Sequence, residues 1–267
     1  MGNAFFVVWR ESLEAFLIVG ILFAWLSANE ESGRGKTALL TGLVGGVALA
    51  LCLGWALIGI QDELTGARLE AFQIAMLLVA AALITQMVLW MRQHGRHIKA
   101  RLHADLSEAT DRSGFLGVAV VAALAVAREG AETVIFLYGL SQEGAWSDLA
   151  LGASTGFVAA GLTAWIAAQG LRHLNLGLLL RVSSILLLIL ASALLVSATD
   201  RLIGADWLPG LVDPLWDASW LLDDSTPIGK LLANLTGYRA RPALTSVLAE
   251  IAYWLLVIRY WTRTRHA

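Results

Sequence analysis

Charge is scarce in this chain. Only 15% of its 267 residues are Asp, Glu, Lys or Arg, while 58% are hydrophobic. A soluble domain of this length carries far more charge, so the composition excludes that class and points to a polytopic membrane protein. Cysteine is all but missing. Cys52 stands alone inside an apolar run, which excludes an intrachain disulfide or a cysteine-built metal site. The chain also lacks GxSxG, HExxH and Walker sequences. No helix carries the Glu-x-x-His that a bundle di-iron enzyme needs. Enzyme chemistry therefore has no foothold here, and nucleic acid is not an expected partner. Met1 to Val8 has no basic stretch, so the start reads as a first spanning helix and not as a cleaved signal.

What the chain has is long apolar runs. Seven are long enough to cross about 30 Å of hydrocarbon, near residues 4–28, 38–60, 69–91, 114–140, 148–170, 177–198 and 243–261. Gly42, Gly45 and Gly46 in the second run would let helices approach closely. The positive-inside rule orients them. With the N-terminus outside, the inner side holds Arg34, Lys36, Arg92, Arg96, Lys99, Arg101, Arg112, Arg172, Arg181, Arg259, Arg263 and Arg265. The outer side holds only Arg68, Arg201, Lys230, Arg239 and Arg241. The expected orientation is N-terminus out, C-terminus in. His94, His97, His103, His173 and His266 then all fall on the cytosolic side; they read as solvated loop residues, with receipt of a metal on exit as the functional alternative.

Two of the runs are interrupted by the same motif. It reads Arg10-Glu11-Ser12-Leu13-Glu14 in the first and Arg128-Glu129-Gly130-Ala131-Glu132 in the fourth. Each buried charge costs roughly 2.5–3.5 kcal/mol on insertion scales, so a chain that carries three twice has a use for them. At about 100° per residue the Arg and both Glu of each motif share one narrow helix face. Each motif has a formal charge of −1, so two facing motifs would present −2 on hard oxygen ligands. That suits a divalent metal. The first and fourth segments are separated by an odd number of segments and cross in opposite directions. The expected architecture is therefore an all-α polytopic membrane protein: a single domain of seven transmembrane helices built as a 3+3 inverted repeat plus a seventh helix. Its parts are residues 1–91, 114–198, an outer loop 199–242 with an interfacial helix, and the last helix at 243–261. Two other readings of the motifs stand beside this one. They could be Arg–Glu staples in a structural or assembly subunit, or the proton relay of a proton-coupled cation carrier.

The remaining residues have plainer readings. Asp62, Glu63, Glu143, Asp148, Asp206, Asp213, Asp217, Asp223 and Asp224 make the outer face acidic, either a solvated surface or a funnel for cations. Trp207, Trp216 and Trp220 mark the long loop as an interfacial helix or a folded flap. Glu70 opens the third segment, where the helix dipole favours an acid, with a role as an entry ligand the alternative. Ser183, Ser184 and Ser192 read as packing residues, and Tyr138 as an interfacial anchor.

With these residues in view, the chain resembles the oxidase-dependent iron permeases, a family that includes the fungal high-affinity iron permease and the membrane permease of the bacterial Efe iron-uptake system. The resemblance rests on the two R-E-x-x-E motifs, on Trp90-Met91-Arg92, Leu174-Asn175-Leu176-Gly177 and Gly237-Tyr238-Arg239, and covers essentially the whole chain. Two departures stand out. Ser12 replaces the usual glycine, and Asp217-Ala218-Ser219 ends in Trp220 where fungal members have Glu, so that outer site is not carried over. The resemblance implies that Glu11, Glu14, Glu129 and Glu132, with Glu70 a further candidate, bind and pass iron, balanced by Arg10 and Arg128. It also implies a transporter of the cytoplasmic membrane with iron as cargo and no permanently bound cofactor. Its partners would be periplasmic iron-binding and iron-oxidising or peroxidase proteins.

Overall fold

In a computed structural model, residues 2–28, 34–94, 104, 107–108, 114–142, 145–169 and 176–263 are described. Among them lie eight helices and no strand: α1 (Gly2–Ala28), α2 (Arg34–Glu63), α3 (Ala67–His94), α4 (Phe115–Ser141), α5 (Trp146–Ala168), α6 (Leu176–Gly204), α7 (Pro227–Thr236) and α8 (Leu244–Arg263). By length and apolarity α2, α3, α5, α6 and α8 are able to cross a membrane. Helices α1 and α4 are as long, at 27 residues each, and differ in carrying the charged motifs. The chain is a polytopic membrane protein. The sixth helix runs further than its apolar stretch predicts, so Asp200 and Arg201 belong to α6 and not to the long loop.

Contacts between helix ends define two faces. Asn3 at the start of α1 donates to the Asn234 carbonyl of α7 at 2.9 Å. Tyr138 near the end of α4 donates to Gln61 near the end of α2 at 2.5 Å. Arg201 near the end of α6 donates to Gln73 of α3 at 2.8 Å and to the Gln142 carbonyl at 2.9 Å. These ends share what we term the flap face. At the opposite face Arg92 of α3 stacks 3.6 Å from the centre of the Trp261 ring of α8 and donates to its carbonyl. Leu26, Leu39 and Val118 pack together there too. Helices α1 and α4 are accordingly antiparallel, as their odd separation requires.

Small residues set the tightest contacts. Helix α2 lies along α4, and α5 along α1. A Cβ at Gly46 would stand 2.7 Å from the Ala123 carbonyl and 3.0 Å from the Ala127 nitrogen. A Cβ at Gly156 would collide with the Phe5 carbonyl and stand 3.1 Å from the Trp9 nitrogen. Phe5 and Trp9 precede Ala123 and Ala127 by 118 residues, the same offset that separates Arg10 from Arg128. Both packing helices carry the pattern Gly-x-x-x-Gly-x-x-x-Ala, at 42, 46 and 50 and at 152, 156 and 160. Helices α3 and α6 pack on each other through Leu77, Ala80, Ile84, Leu187, Ala191 and Leu194 in the main core. A local prediction follows from neighbouring glycines. Gly46→Ala should cost about 1–3 kcal/mol by overpacking. At Gly45 the nearest atom would be 4.0 Å away, so Gly45→Ala should be neutral or slightly stabilising. Thermal unfolding of the two variants in one detergent checks this.

The long loop is a folded flap followed by a short helix. Its backbone pairs with the entry to α8, from Leu215 to Pro242, Ala218 to Ala240, and Leu244 back to Val212. Helix α7 is capped by Thr226, has Pro227 in its first turn, and ends at Gly237 with φ of +77°. Ala233 of α7 is buried while Ile228 and Leu231 are exposed, as are Trp207, Trp216 and Trp220. That distribution fits a segment lying at an interface. Tyr138 departs from expectation: it is 4% exposed and packs with Leu57 and Met76. Its hydroxyl ties two helices together through Gln61. Ser183, Ser184 and Ser192 each donate to a carbonyl of their own helix, as packing residues do.

Candidate functional site

Helices α1 and α4 pack against each other at their motifs, so the shared helix face of each motif meets that of the other. Gly130 is required where it stands, because a Cβ there would lie 2.6 Å from the Ala50 Cβ of α2. The α4 motif can then sit with its carboxylates turned inward. Carboxylate oxygens of Glu11, Glu14 and Glu129 all come within 4.8 Å of one another, and all three residues are buried. This is the one group of three or more potential metal ligands among the described residues.

The charges are unevenly partnered. Arg10 Nη2 lies 3.0 Å from Glu14 and its Nη1 lies 3.7 Å from Glu11. Arg128 Nε donates to Glu132 at 3.0 Å. Both oxygens of Glu11, one each of Glu129 and Glu132, and two nitrogens of Arg10 are buried without a hydrogen-bond partner, and Glu14 Oε1 has only its ion pair to Arg10. Buried orphan acceptors are costly. Four carboxylates and two guanidinium groups leave a formal −2 beside them. Hard oxygens clustered with surplus negative charge can hold a divalent cation and repel an anion.

Because α1 and α4 run in opposite directions, the motifs lie head to tail. Arg10 stands on the flap side of its glutamates, Arg128 on the far side of its own. The carboxylates are bracketed between two guanidinium groups. Glu132 differs from the other three, being tied to Arg128 and outside the cluster of three. Glu70 is half-buried in the first turn of α3, toward the flap face, and is not part of that cluster. His97, His103, His173 and His266 lie outside the described residues.

Sequence reasoning passed over two features. One is the Gly-x-x-x-Gly-x-x-x-Ala pair, whose signal is plain once α2 and α5 are aligned. The other is a charge network at the flap face, where Arg239 donates to Asp200 at 2.7 Å and to Ser197, and Ser246 donates to Asp200 at 2.6 Å. Asp200 and Arg239 are 39 residues apart, so no local pattern announces the pair. In the flap, the Ser219 hydroxyl and N–H, with Arg241 beside them, hold Asp217 below the usual carboxylate range. The Ser225 N–H does the same for Asp223. Both should therefore keep their charge to lower pH than an ordinary carboxylate does.

The iron permease FTR1 family matches residues 1–261. A ferrous iron permease EfeU of Escherichia coli O6:H1 is 30% identical over 262 residues, covering 95% of this chain and 91% of that protein. The ferrous iron permease EfeU of Yersinia pestis is 28% identical over 251 residues, covering 93% and 89%. No solved structure matches the chain. With two R-E-x-x-E helices facing across a buried carboxylate cluster and a match across nearly its whole length, the chain belongs to the iron permease FTR1 family.

Proposed function

We propose that this protein imports iron across the cytoplasmic membrane, with Glu11, Glu14 and Glu129 as the central binding group and Glu132 as the next ligand on the path. The observation that carries this reading is the orphaned state of the cluster: buried carboxylate oxygens within 4.8 Å of one another and without hydrogen-bond partners. A pure helix staple would satisfy its acceptors, which weighs against the structural-subunit reading. The name of the relatives favours Fe²⁺ as the cargo.

The packing supports two inverted halves, residues 1–91 and 114–198. Exchanging α1 with α4, α2 with α5 and α3 with α6 carries the contact of Gly46 over Ala123 and Ala127 into that of Gly156 over Phe5 and Trp9. An inverted repeat with its site on the axis is a common transporter plan. On this reading the flap face is the outer one, and periplasmic iron-binding and iron-oxidising or peroxidase partners would deliver there.

Uptake of radioactive Fe²⁺ into proteoliposomes containing only this chain tests the proposal. Iron uptake without uptake of organic cations is the expected result. No transport of either would favour a subunit, and transport of organic cations a proton-coupled carrier. The acidic flap face adds a smaller test. Asp223 and Asp224 hold flap backbone groups, so their removal would confuse folding with steering. Asp62 and Glu63 are exposed at the end of α2. Neutralising both as Asn and Gln should lower uptake at low ionic strength by a few fold at most, with the loss shrinking as salt shortens the screening length to about 8–10 Å. A defect that ignores salt would show that these acids bind iron directly.

A further inference from the structure

The flap face holds a second cluster of charges, of opposite balance to the first. A cavity of about 340 Å³ opens there between the end of α6, helix α7 and the approach to α8. Asp200, Arg201, Asp224, Lys230, Asn234 and Arg239 line it. Three cations against two acids leave a formal +1, although residues 199–242 as a whole carry six acids and four bases. The bases are gathered here.

The two acids are already engaged. Asp200 accepts from Arg239 through one oxygen and from Ser246 through the other. Asp224 accepts the Ala240 N–H at 3.2 Å. Two of the cations are not so matched. Arg201 donates at 2.8 and 2.9 Å to the Gln73 side chain and the Gln142 carbonyl, both neutral. Three of its five N–H groups remain over. Neither Arg201 nor Lys230 takes part in an ion pair among the described residues. A guanidinium held in place by neutral acceptors is preorganised for an anion.

Helix α7 places this cavity beside a source of anions. Lys230, Ala233 and Asn234 line the cavity, while Ile228, Leu231 and Leu232 on the other side of the helix are exposed. Trp207, Trp216 and Trp220 of the same flap are exposed too. A segment of this kind lies at the level of the lipid headgroups, where phosphate is abundant.

We propose that this cavity binds the phosphate of an anionic phospholipid headgroup, with Arg201 as the fixed donor and Lys230 as the donor on a flexible stem. Arg239, paired with Asp200, adds its field. A phosphodiester carries one negative charge and brings the cavity to neutrality. A quaternary ammonium beside that phosphate would restore the surplus, so phosphatidylglycerol is favoured over phosphatidylcholine. The same donors would accept inorganic phosphate, and the experiment separates the two sources. The site owes nothing to the carboxylate cluster and does not rest on the transport reading.

Purified full-length protein, freed of lipid in dodecyl maltoside, is titrated with phosphatidylglycerol, phosphatidylcholine or inorganic phosphate. Thermal unfolding and native mass spectrometry follow the binding. Phosphatidylglycerol should raise the unfolding temperature saturably, with one lipid per chain retained more tightly than the rest. Lys230 is exposed, so Lys230→Gln without lipid should unfold at the temperature of the unmodified protein. Its affinity for phosphatidylglycerol should be about fivefold weaker, which is what one basic residue contributes beside an anionic surface. Lys230→Arg should keep the affinity. Arg201→Gln should weaken binding as well, but it also loses the contacts to Gln73 and Gln142, so the Lys230 variants carry the test. Equal stabilisation by the two lipids would overturn the proposal, as would an affinity for phosphatidylglycerol that Lys230→Gln leaves unchanged. Inorganic phosphate that stabilises the unmodified protein but not Lys230→Gln, with no lipid retained, would uphold the phosphate site and overturn the lipid as its source.

Discussion

Glu11→Gln, Glu14→Gln and Glu129→Gln should each reduce iron uptake at least about a hundredfold, because loss of even an outer-shell partner typically costs a metal site 10–100-fold. Gln preserves shape and removes the charge that a hard cation needs. Glu132→Gln should also cripple uptake, but with near-normal binding, since Glu132 is engaged by Arg128 and stands outside the central group. The informative companion measurement is stability. Without a bound cation, several buried oxygens of the cluster lack a hydrogen-bond partner within the protein, and its carboxylates carry two negative charges beyond those its arginines balance. Removing one of them relieves repulsion and desolvation, so the three central variants should unfold at the same temperature as the unmodified protein or higher. Such an exchange of stability for function is characteristic of binding sites. Staples would behave in the opposite way. Breaking a buried pair costs about 3–5 kcal/mol, so loss of uptake accompanied by a large fall in unfolding temperature in all three would sink the binding-site account.

The parts of this arrangement that could be read from the chain were those where local pattern conflicts with environment. Three charges inside an apolar run are conspicuous wherever they fall, so Arg10 to Glu14 and Arg128 to Glu132 announce themselves, and helical spacing places each set on one face. Helix boundaries followed apolar length closely, except at α6, where Asp200 and Arg201 continue the helix because each finds a partner: Arg239 and Ser246 for the first, Gln73 and the Gln142 carbonyl for the second. Such partners are distant in sequence and leave no local trace. Tyr138 was misplaced for a related reason. A tyrosine near a helix end usually meets the interface, but Gln61 supplies the acceptor that allows this one to be buried. Glu132 and Glu129 were indistinguishable in the sequence, and only the direction of α4 against α1 separates them. The small-residue ladders on α2 and α5 were legible and went unread as a pair, because each looks ordinary alone. Aligned, they state which helix packs on which.

Arg10→Ala and Arg128→Ala should have very different consequences, and the difference tests how the site is charged. Arg10 is enclosed and balances buried carboxylates, so its removal leaves an uncompensated buried charge. The expected cost is about 3–5 kcal/mol, which for a chain of this size lowers the unfolding temperature by roughly 10 °C or more. Arg128 is half-exposed and pairs with a single carboxylate, so Arg128→Ala should cost clearly less stability than Arg10→Ala. Divalent metal then separates counter-charge from staple. A cation bound among Glu11, Glu14 and Glu129 replaces the lost guanidinium, and at a hundred times its dissociation constant it returns about 2.7 kcal/mol. Anaerobic Fe²⁺ should therefore raise the unfolding temperature of Arg10→Ala by several degrees, and do so more than for Glu11→Gln, which lacks a ligand. A guanidinium whose only duty is to pin helices cannot be replaced by an ion. If Fe²⁺ leaves Arg10→Ala as unstable as before, or if the two arginine variants lose equal stability, Arg10 is not the counter-charge of a metal site.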